Sequence, residues 1–325
     1  MSGELERDER VWDCVVVGAG PAGLSAALLL GRCRRRVLVC DTGRPRNSWS
    51  AAVHGFFTRD ATPPRELLRL GRTDFLPYDT VVFRDVEVTA AARAAPGAAY
   101  AFEVATADGR RERCRKLLLA TGVLDVIPAI PGIEPLLGTS VHHCPYCDGW
   151  EHREQRIAAY GPGDQALGLA LGLTVWAAEV VLLSDGRCPI DDAERARLDA
   201  LGIVVREEKV VRLEGSGGCL ERVVFDAGPP EECQAFFFDT SQRQHSPLAA
   251  ALGCRFNAKG TVETGDCEAT NVPGLFVAGD ASKETQLVSV AVAEGTQAAF
   301  AINRDLLKED LAARERLGAA RPSPA

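Results

Sequence analysis

Methionine occurs once, as residue 1, and aromatic residues make up only 6% of the 325 residues. A core of rings and flexible thioethers is therefore excluded, and one of alanine, valine and leucine is expected. No basic stripe offsets the net charge of −8, because Arg34–Arg36 and Arg110–Arg111 are short and isolated. The balance argues against a phosphate-backbone partner, so no nucleic acid is expected. Long apolar runs are also missing. Cys14–Gly31 carries no charge, but four glycines and a proline punctuate it, and strand–turn–helix fits it better than a bilayer. No membrane partner is expected. Met1–Arg10 is rich in acids and lacks the basic end and apolar stretch of a secretory leader.

What is present is an ordinary globular balance, 46% apolar and 25% charged, in a chain long enough for two domains. Of eleven cysteines, nine are scattered singly, several in apolar runs where a thiol acts as a small hydrophobe. A reducing cytoplasm is the expected compartment, with disulfide chemistry confined to one pair.

Trp12–Val17 reads as a strand, Gly18-Ala19-Gly20-Pro21-Ala22-Gly23 as a turn, Leu24–Leu30 as a helix and Arg36–Cys40 as a strand closed by Asp41. A parallel βαβ unit needs these parts in this order. The plan recurs: Ile157–Tyr160, the turn Gly161–Ala166, a helix over Leu167–Ala177, and Val180–Leu183 followed by Ser184-Asp185. Between the two, Val81–Ala90, Ala99–Ala105 and Glu112–Ala120 read as a meander, and Ile127–Gly138, with three prolines, as the crossing. Strand and helix return at Leu275–Ala278 and Val288–Asn303. The expected fold class is α/β, with two doubly wound Rossmann-like domains, the second inserted into a discontinuous first. The expected boundaries are 1–124, 125–236 and 237–325, with a frayed tail over Gly318–Ala325.

In the first turn Gly18 permits the tight bend, Gly20 lets backbone N–H groups approach a pyrophosphate, and Gly23 lets helix pack on strand. Pro21 and Ala22, within the same turn, are expected to line the cofactor, whose pyrophosphate would sit on the positive end of the helix that follows. Asp41 is placed to accept hydrogen bonds from an adenosine ribose. A tight packing turn is the plainer reading of such glycines, but strand, helix and terminal acid all agree on a dinucleotide. Two further strand ends bear on which one: Leu118-Leu119-Ala120-Thr121-Gly122, and Thr270–Asp280 with its closing Gly279-Asp280.

Cys144-Pro145-Tyr146-Cys147-Asp148-Gly149 carries the redox chemistry. Two cysteines so spaced can close a disulfide within one helical turn. With Cys144 as N-cap and Pro145 as first helical residue, the free N–H groups favour a thiolate at Cys144. Lowering a thiol pKa from about 8.5 to about 7 raises the thiolate at neutral pH from roughly 3% to about half. Zinc is the competing reading. It needs four ligands, no second Cys-x-x-Cys exists, and His142 and His143 would make a cluster too compact for a tetrahedron. No metal is expected.

Taken together, these segments resemble the low-molecular-weight thioredoxin reductase family over nearly the whole chain. The resemblance implies FAD on the first turn, with Thr121 and Gly122 nearby and Asp280 on the ribityl chain. It puts Gln286, in the following helix, and Leu287 near the flavin ring; the family's Arg before that Gln is Thr285 here. It implies that Cys147 faces the flavin, Cys144 exchanges with the external thiol, Asp148 is the acid/base, and His143 helps protonate or orient. A homodimer is implied by likeness alone.

The second turn departs from the family. Ser184-Asp185-Gly186 stands where the family has His-Arg-Arg, and Asp185 would repel the 2′-phosphate of NADPH. One branch fits such a loss: the FAD-dependent dithiol oxidases that close disulfides in small natural products such as gliotoxin, holomycin and romidepsin. Its bacterial members are similar over Cys144–Glu151, though several carry His where this chain has Asp148. The expected activity is oxidation of a small dithiol by way of Cys144/Cys147 and FAD, with molecular oxygen as acceptor. The alternatives are a nucleotide- or ferredoxin-dependent disulfide reductase and a non-catalytic redox-sensing or dithiol-sequestering flavoprotein.

Overall fold

The computed structural model describes residues 11–239 and 241–319. The acidic leader Met1–Arg10 and the last part of the tail, 320–325, lie outside the described residues. The chain forms two compact units, one from residues 11–46, 65–124 and 243–319, the other from 47–64 and 125–242. The segment 47–64, assigned by sequence to the first domain, thus belongs with the second, and the return crossing comes after Gln242 rather than after residue 236.

The first unit opens with β1 (Trp12–Val17), α1 (Pro21–Arg32), β2 (Val37–Asp41) and α2 (Pro64–Thr73). It continues through β3 (Val81–Asp85), β4 (Val88–Arg93), β5 (Phe102–Thr106), β6 (Arg111–Leu119) and the short β7 (Val123–Asp125). β3, β2, β1 and β6 pair in parallel, and β5 and β4 continue the sheet antiparallel. The expected Val81–Ala90 strand is therefore two. Its first half is the parallel edge beside β2, and a tight bond from Val86 N–H to Arg84 C=O ends it before the meander starts.

The second unit holds β8 (Val141–His142), α3 (Pro145–Asp148), β9 (Arg156–Tyr160), α4 (Leu167–Leu173), β10 (Glu179–Leu183) and α5 (Asp192–Ala200). Then come β11 (Val204–Arg206), β12 (Val210–Ser216), β13 (Cys219–Phe225), β14 (Glu231–Glu232) and β15 (Ala235–Phe238). Its parallel sheet runs β11-β10-β9-β15-β8. The proline-rich stretch 127–138 is no bare linker: Ile130, Ile133 and Leu136 are buried in this unit's core. The chain then returns to the first unit through β16 (Gln242–Gln244), α6 (Leu248–Ala251), β17 (Leu275–Val277) and α7 (Val288–Ala319). β17 joins β6 in parallel. α7 runs on to Ala319, so the first residues of the expected frayed tail are helical.

Both parallel sheets are covered on two faces, which is why their strands read as nearly continuous apolar runs. In β1, Cys14 and Val16 enter one core and Val15 and Val17 the other. Few large rings means close helices. A Cβ on Gly295 of α7 would lie 2.0 Å from the Ala22 carbonyl oxygen of α1, and Ser25 Oγ donates to Val292 C=O across that contact. Six of the nine single cysteines, Cys14, Cys40, Cys114, Cys188, Cys233 and Cys254, are buried as core hydrophobes. Burial pushes the Cys40, Cys114 and Cys233 thiols up to about 12, far from a reactive thiolate. Among the described residues no helix is long and apolar enough to cross a membrane.

Candidate active site

The carboxyl ends of β2, β1, β6 and β17 lie side by side, with β1 the strand at which the chain order reverses. Ligands of doubly wound sheets bind at such a switch point. Gly18 takes a left-handed φ of +101°, and its Cβ would sit 2.3 Å from Ala120 C=O; a Cβ on Gly23 would sit 1.9 Å from Gly18 C=O. Those two glycines are required by the fold itself. Gly20 is different: its φ and ψ of −69° and −177° suit any residue, and a Cβ there would meet nothing within 4 Å. The open space lies at the N-terminus of the twelve-residue α1, which starts at Pro21 and leaves the first-turn N–H groups of Ala22 and Gly23 without intrahelical acceptors. The cradle fits a pyrophosphate. Asp41 ends β2 beside it, accepting from the Ala19 N–H at 3.0 Å, from Gly43 N–H at 3.1 Å and from Arg72 at 3.0 Å.

Thr121 and Gly122 follow β6, where His245 N–H bonds Gly122 C=O at 3.3 Å and His245 Nδ1 lies 3.2 Å from Thr121 C=O. Gly279 and Asp280 follow β17. Arg46, which sequence reasoning passed over, donates to Asp280 Oδ2 at 2.8 Å and to Gln286 Oε1 at 2.6 Å. One guanidinium from position 46 thus supplies a cation at the corner where the family's Arg is replaced by Thr285. Gln286 lies two residues before α7 rather than in it, with Leu287 next, and its amide turns back toward Lys283 C=O at 3.3 Å. The residues that would hold FAD are therefore gathered at one end of one sheet.

Glu294 of α7 supports this corner from below, accepting from Gly279 N–H at 2.7 Å while its side chain is buried. Burial pushes its carboxyl up from 4.5 to about 7; the Gly279 bond and Lys283 oppose the shift, and Glu268 and Asp280 add to it. A raised carboxyl pKa means that the folded chain binds more protons than the unfolded chain between pH 4.5 and 7. Stability therefore falls as pH rises through that window, and the loss is complete above it. Glu294→Gln keeps the acceptor without the charge. It should melt higher than the wild type at pH 8, by an amount on the order of 3 kcal/mol, and match it near pH 5. Parallel melting curves at both pH values would refute this reading.

In the second unit Cys144 and Cys147 are joined in a disulfide, Cα–Cα 5.2 Å. Cys144 is the N-cap of α3 in extended conformation and Pro145 the first helical residue. Cys147 N–H and Asp148 N–H both return to Cys144 C=O at 3.1 Å. Tyr146, between the two cysteines, and Trp150, just beyond them, are exposed. From the segment 47–64, Trp49 lies against His143, ring centroids 5.4 Å apart, and His54 Nε2 is 3.6 Å from Glu151.

His142 ends β8 and His143 follows it, and their side chains part ways. His143 turns toward Trp49 and Phe238. His142 turns to the other face, over Phe237, with Nδ1 3.4 Å from Asp148 Oδ1. Its Nε2 is 2.9 Å from Nε2 of His152, whose Nδ1 is 3.0 Å from Gln155 Oε1. Sequence reasoning weighed His142 only as a zinc ligand and did not see His152 or Gln155; the two-residue β8 is too short to carry a periodic signal.

The second glycine turn is built differently from the first. Gly163 N–H is taken by Ser184 C=O at 2.8 Å. Residues 162–166 fold back so that a Cβ on Gly161 would lie 3.0 Å from Ala166. α4 starts only at Leu167, without a side-chain cap, and has seven residues, four fewer than expected because two glycines and no cap hold it. Asp185 is consumed locally, accepting from Tyr160 at 3.1 Å and from Val210 N–H at 2.7 Å. The cavity beyond it, about 810 Å³, is lined by the carboxylates of Asp185, Glu207, Glu208 and Asp226 against Arg195 and Lys209.

Residues 12–295 match the family model of pyridine nucleotide-disulphide oxidoreductases. The chain is 31% identical to thioredoxin reductase tcpT of Claviceps purpurea, over 91% of this chain and 95% of that one. Among solved structures it is similar to HlmI, with a TM-score of 0.88, 35% identity and coverage of 96% and 97%. It is also similar to an oxidoreductase of Agrobacterium tumefaciens, with a TM-score of 0.84, 31% identity and coverage of 92% and 99%. The chain belongs to the pyridine nucleotide-disulphide oxidoreductase family, as a thioredoxin reductase-like flavoprotein whose cofactor is FAD.

Proposed function

We propose that the chain is a dithiol oxidase that closes a disulfide in a small substrate. The observation that carries this is the second glycine turn. An NADPH reductase needs an anion receptor there, and this turn has its Gly163 N–H occupied, a short uncapped helix and a cavity rich in carboxylates. Electrons that do not enter from a nucleotide must enter at the sulfurs.

A substrate thiolate attacks Cys144 Sγ, the Cys144–Cys147 bond breaks, and Cys147 leaves as a thiolate. The second substrate thiol then attacks the mixed disulfide, closing the product ring and expelling Cys144. Asp148 handles protons beside the pair. FAD, when bound, would supply the two-electron acceptor for the dithiol, with molecular oxygen as the terminal oxidant and hydrogen peroxide as its product. Oxygen matters for a strained product ring, since a couple near −270 mV is too reducing to keep it closed.

The test is anaerobic stopped-flow on the holoenzyme. Dithiothreitol should bleach the flavin at least about a hundredfold faster than NADPH or NADH does. Fast bleaching by either nucleotide would favour the reductase suggested by the names of the relatives. No bleaching by any of the three would favour a non-catalytic flavoprotein.

A further inference from the structure

The line Asp148–His142–His152–Gln155 runs inward from the redox pair. His142 and His152 are both buried, and Phe237 covers both rings. At 2.9 Å the two Nε2 atoms must share a single hydrogen, one ring donating and the other accepting. Gln155 presents Oε1 to His152 Nδ1, so that nitrogen carries a hydrogen. Burial, with His142 alongside, holds the His152 imidazole below its ordinary pKa and so neutral. Its Nε2 is then bare and accepts from His142 Nε2–H. That leaves the His142 Nδ1 facing Asp148 Oδ1 at 3.4 Å. The two atoms stand apart with room for one proton between them.

We propose that Gln155 and His152 are positioning residues that fix the tautomer of His142, making the Asp148–His142 gap the proton acceptor for disulfide opening. The inference rests on the dithiol reading above. The balance is simple. A dithiol that reduces the pair loses two electrons to the cysteine sulfurs and two protons, forming one S–S bond as another breaks. One proton goes to the expelled Cys144 sulfur, and the other enters the gap. The logic of an imidazole held in one tautomer by a buried partner is that of hydrolytic triads. The other charged and titratable groups facing the line are Glu151, which bears on His152, and, behind it, His54 and Asp60; His143 faces away.

Nitrogen-15 spectra of the imidazoles test this on the intact holoenzyme, and with five histidines in the chain the signals are few enough to assign. In the oxidised protein His142 should be the Nε2–H tautomer and His152 the Nδ1–H tautomer. Reduction by dithiothreitol should protonate His142 Nδ1. The reverse tautomers, or a His142 unchanged by reduction, would overturn the proposal. A kinetic arm follows dithiothreitol bleaching against pH. Gln155→Leu should slow it about tenfold at pH 6.5 and move its profile about one unit to alkaline, because a hydrogen on His142 Nδ1 blocks the gap. Gln155→Glu, still an acceptor, should restore the rate. A purely structural role would leave the profile in place. If dithiothreitol fails to bleach the wild type, the dithiol reading falls, and the oxidised-state tautomers still decide the relay.

Discussion

Cys144→Ser should lose dithiol-driven turnover by on the order of a thousandfold, because an alcohol is neither ionised at neutral pH nor able to form a mixed disulfide. Cys147→Ser should lose as much for another reason. Cys144 can then still capture a disulfide reagent but has no neighbour to resolve the adduct. The two variants are separated by Ellman's reagent. Cys147→Ser should take one equivalent rapidly at Cys144 and retain it as a covalent adduct visible by mass. Cys144→Ser should do so slowly, since Cys147 sits inside α3 rather than at its cap. The background is small: Cys219 is the exposed one among the remaining cysteines, and Cys14, Cys40, Cys114 and Cys233 are buried with raised pKa values. Unchanged turnover in Cys144→Ser would sink the assignment of roles.

The parts of the site legible in the sequence are those whose signal is local. Strand, glycine turn, helix and terminal acid follow one another within Trp12–Asp41, and the Cys144 cap with Pro145 behind it is a contiguous word. Residues that meet only after folding left no such mark. Arg46 reaches Asp280 across 234 positions, and nothing near Arg46 announces a cofactor. His142 and His152 are ten apart; their meeting depends on where the two-residue β8 ends and on the short turn after α3. The seven-residue α4 was overestimated because an apolar run with no cap reads longer than it folds. The 47–64 segment carries no periodic signal. Its Trp49 C=O packs against Gly138 so closely that a Cβ there would lie 2.0 Å away, a tertiary fact with no local trace.

The glycine motif itself can be divided by cause, and that division yields the sharpest test of the cofactor site. Gly20→Val should give a folded but colourless protein. The backbone there is extended, which a β-branched residue favours, and the added side chain has no protein atom to strike. Stability of the apoprotein should therefore stay within about 0.5 kcal/mol of the wild type. Affinity for FAD should fall at least about a hundredfold, since two methyl groups would occupy the approach to the α1 N-terminus where the pyrophosphate binds. Gly23→Val is the contrast. Its Cβ collides with Gly18 C=O before any ligand arrives, so it should lose the fold and the flavin together. Far-UV circular dichroism and melting, read beside the flavin absorbance of the reconstituted protein, distinguish the two. A yellow Gly20→Val with full occupancy would mean that the open space beside Gly20 is not the pyrophosphate cradle. A Gly20→Val that unfolds like Gly23→Val would mean that the glycine serves the chain rather than the cofactor.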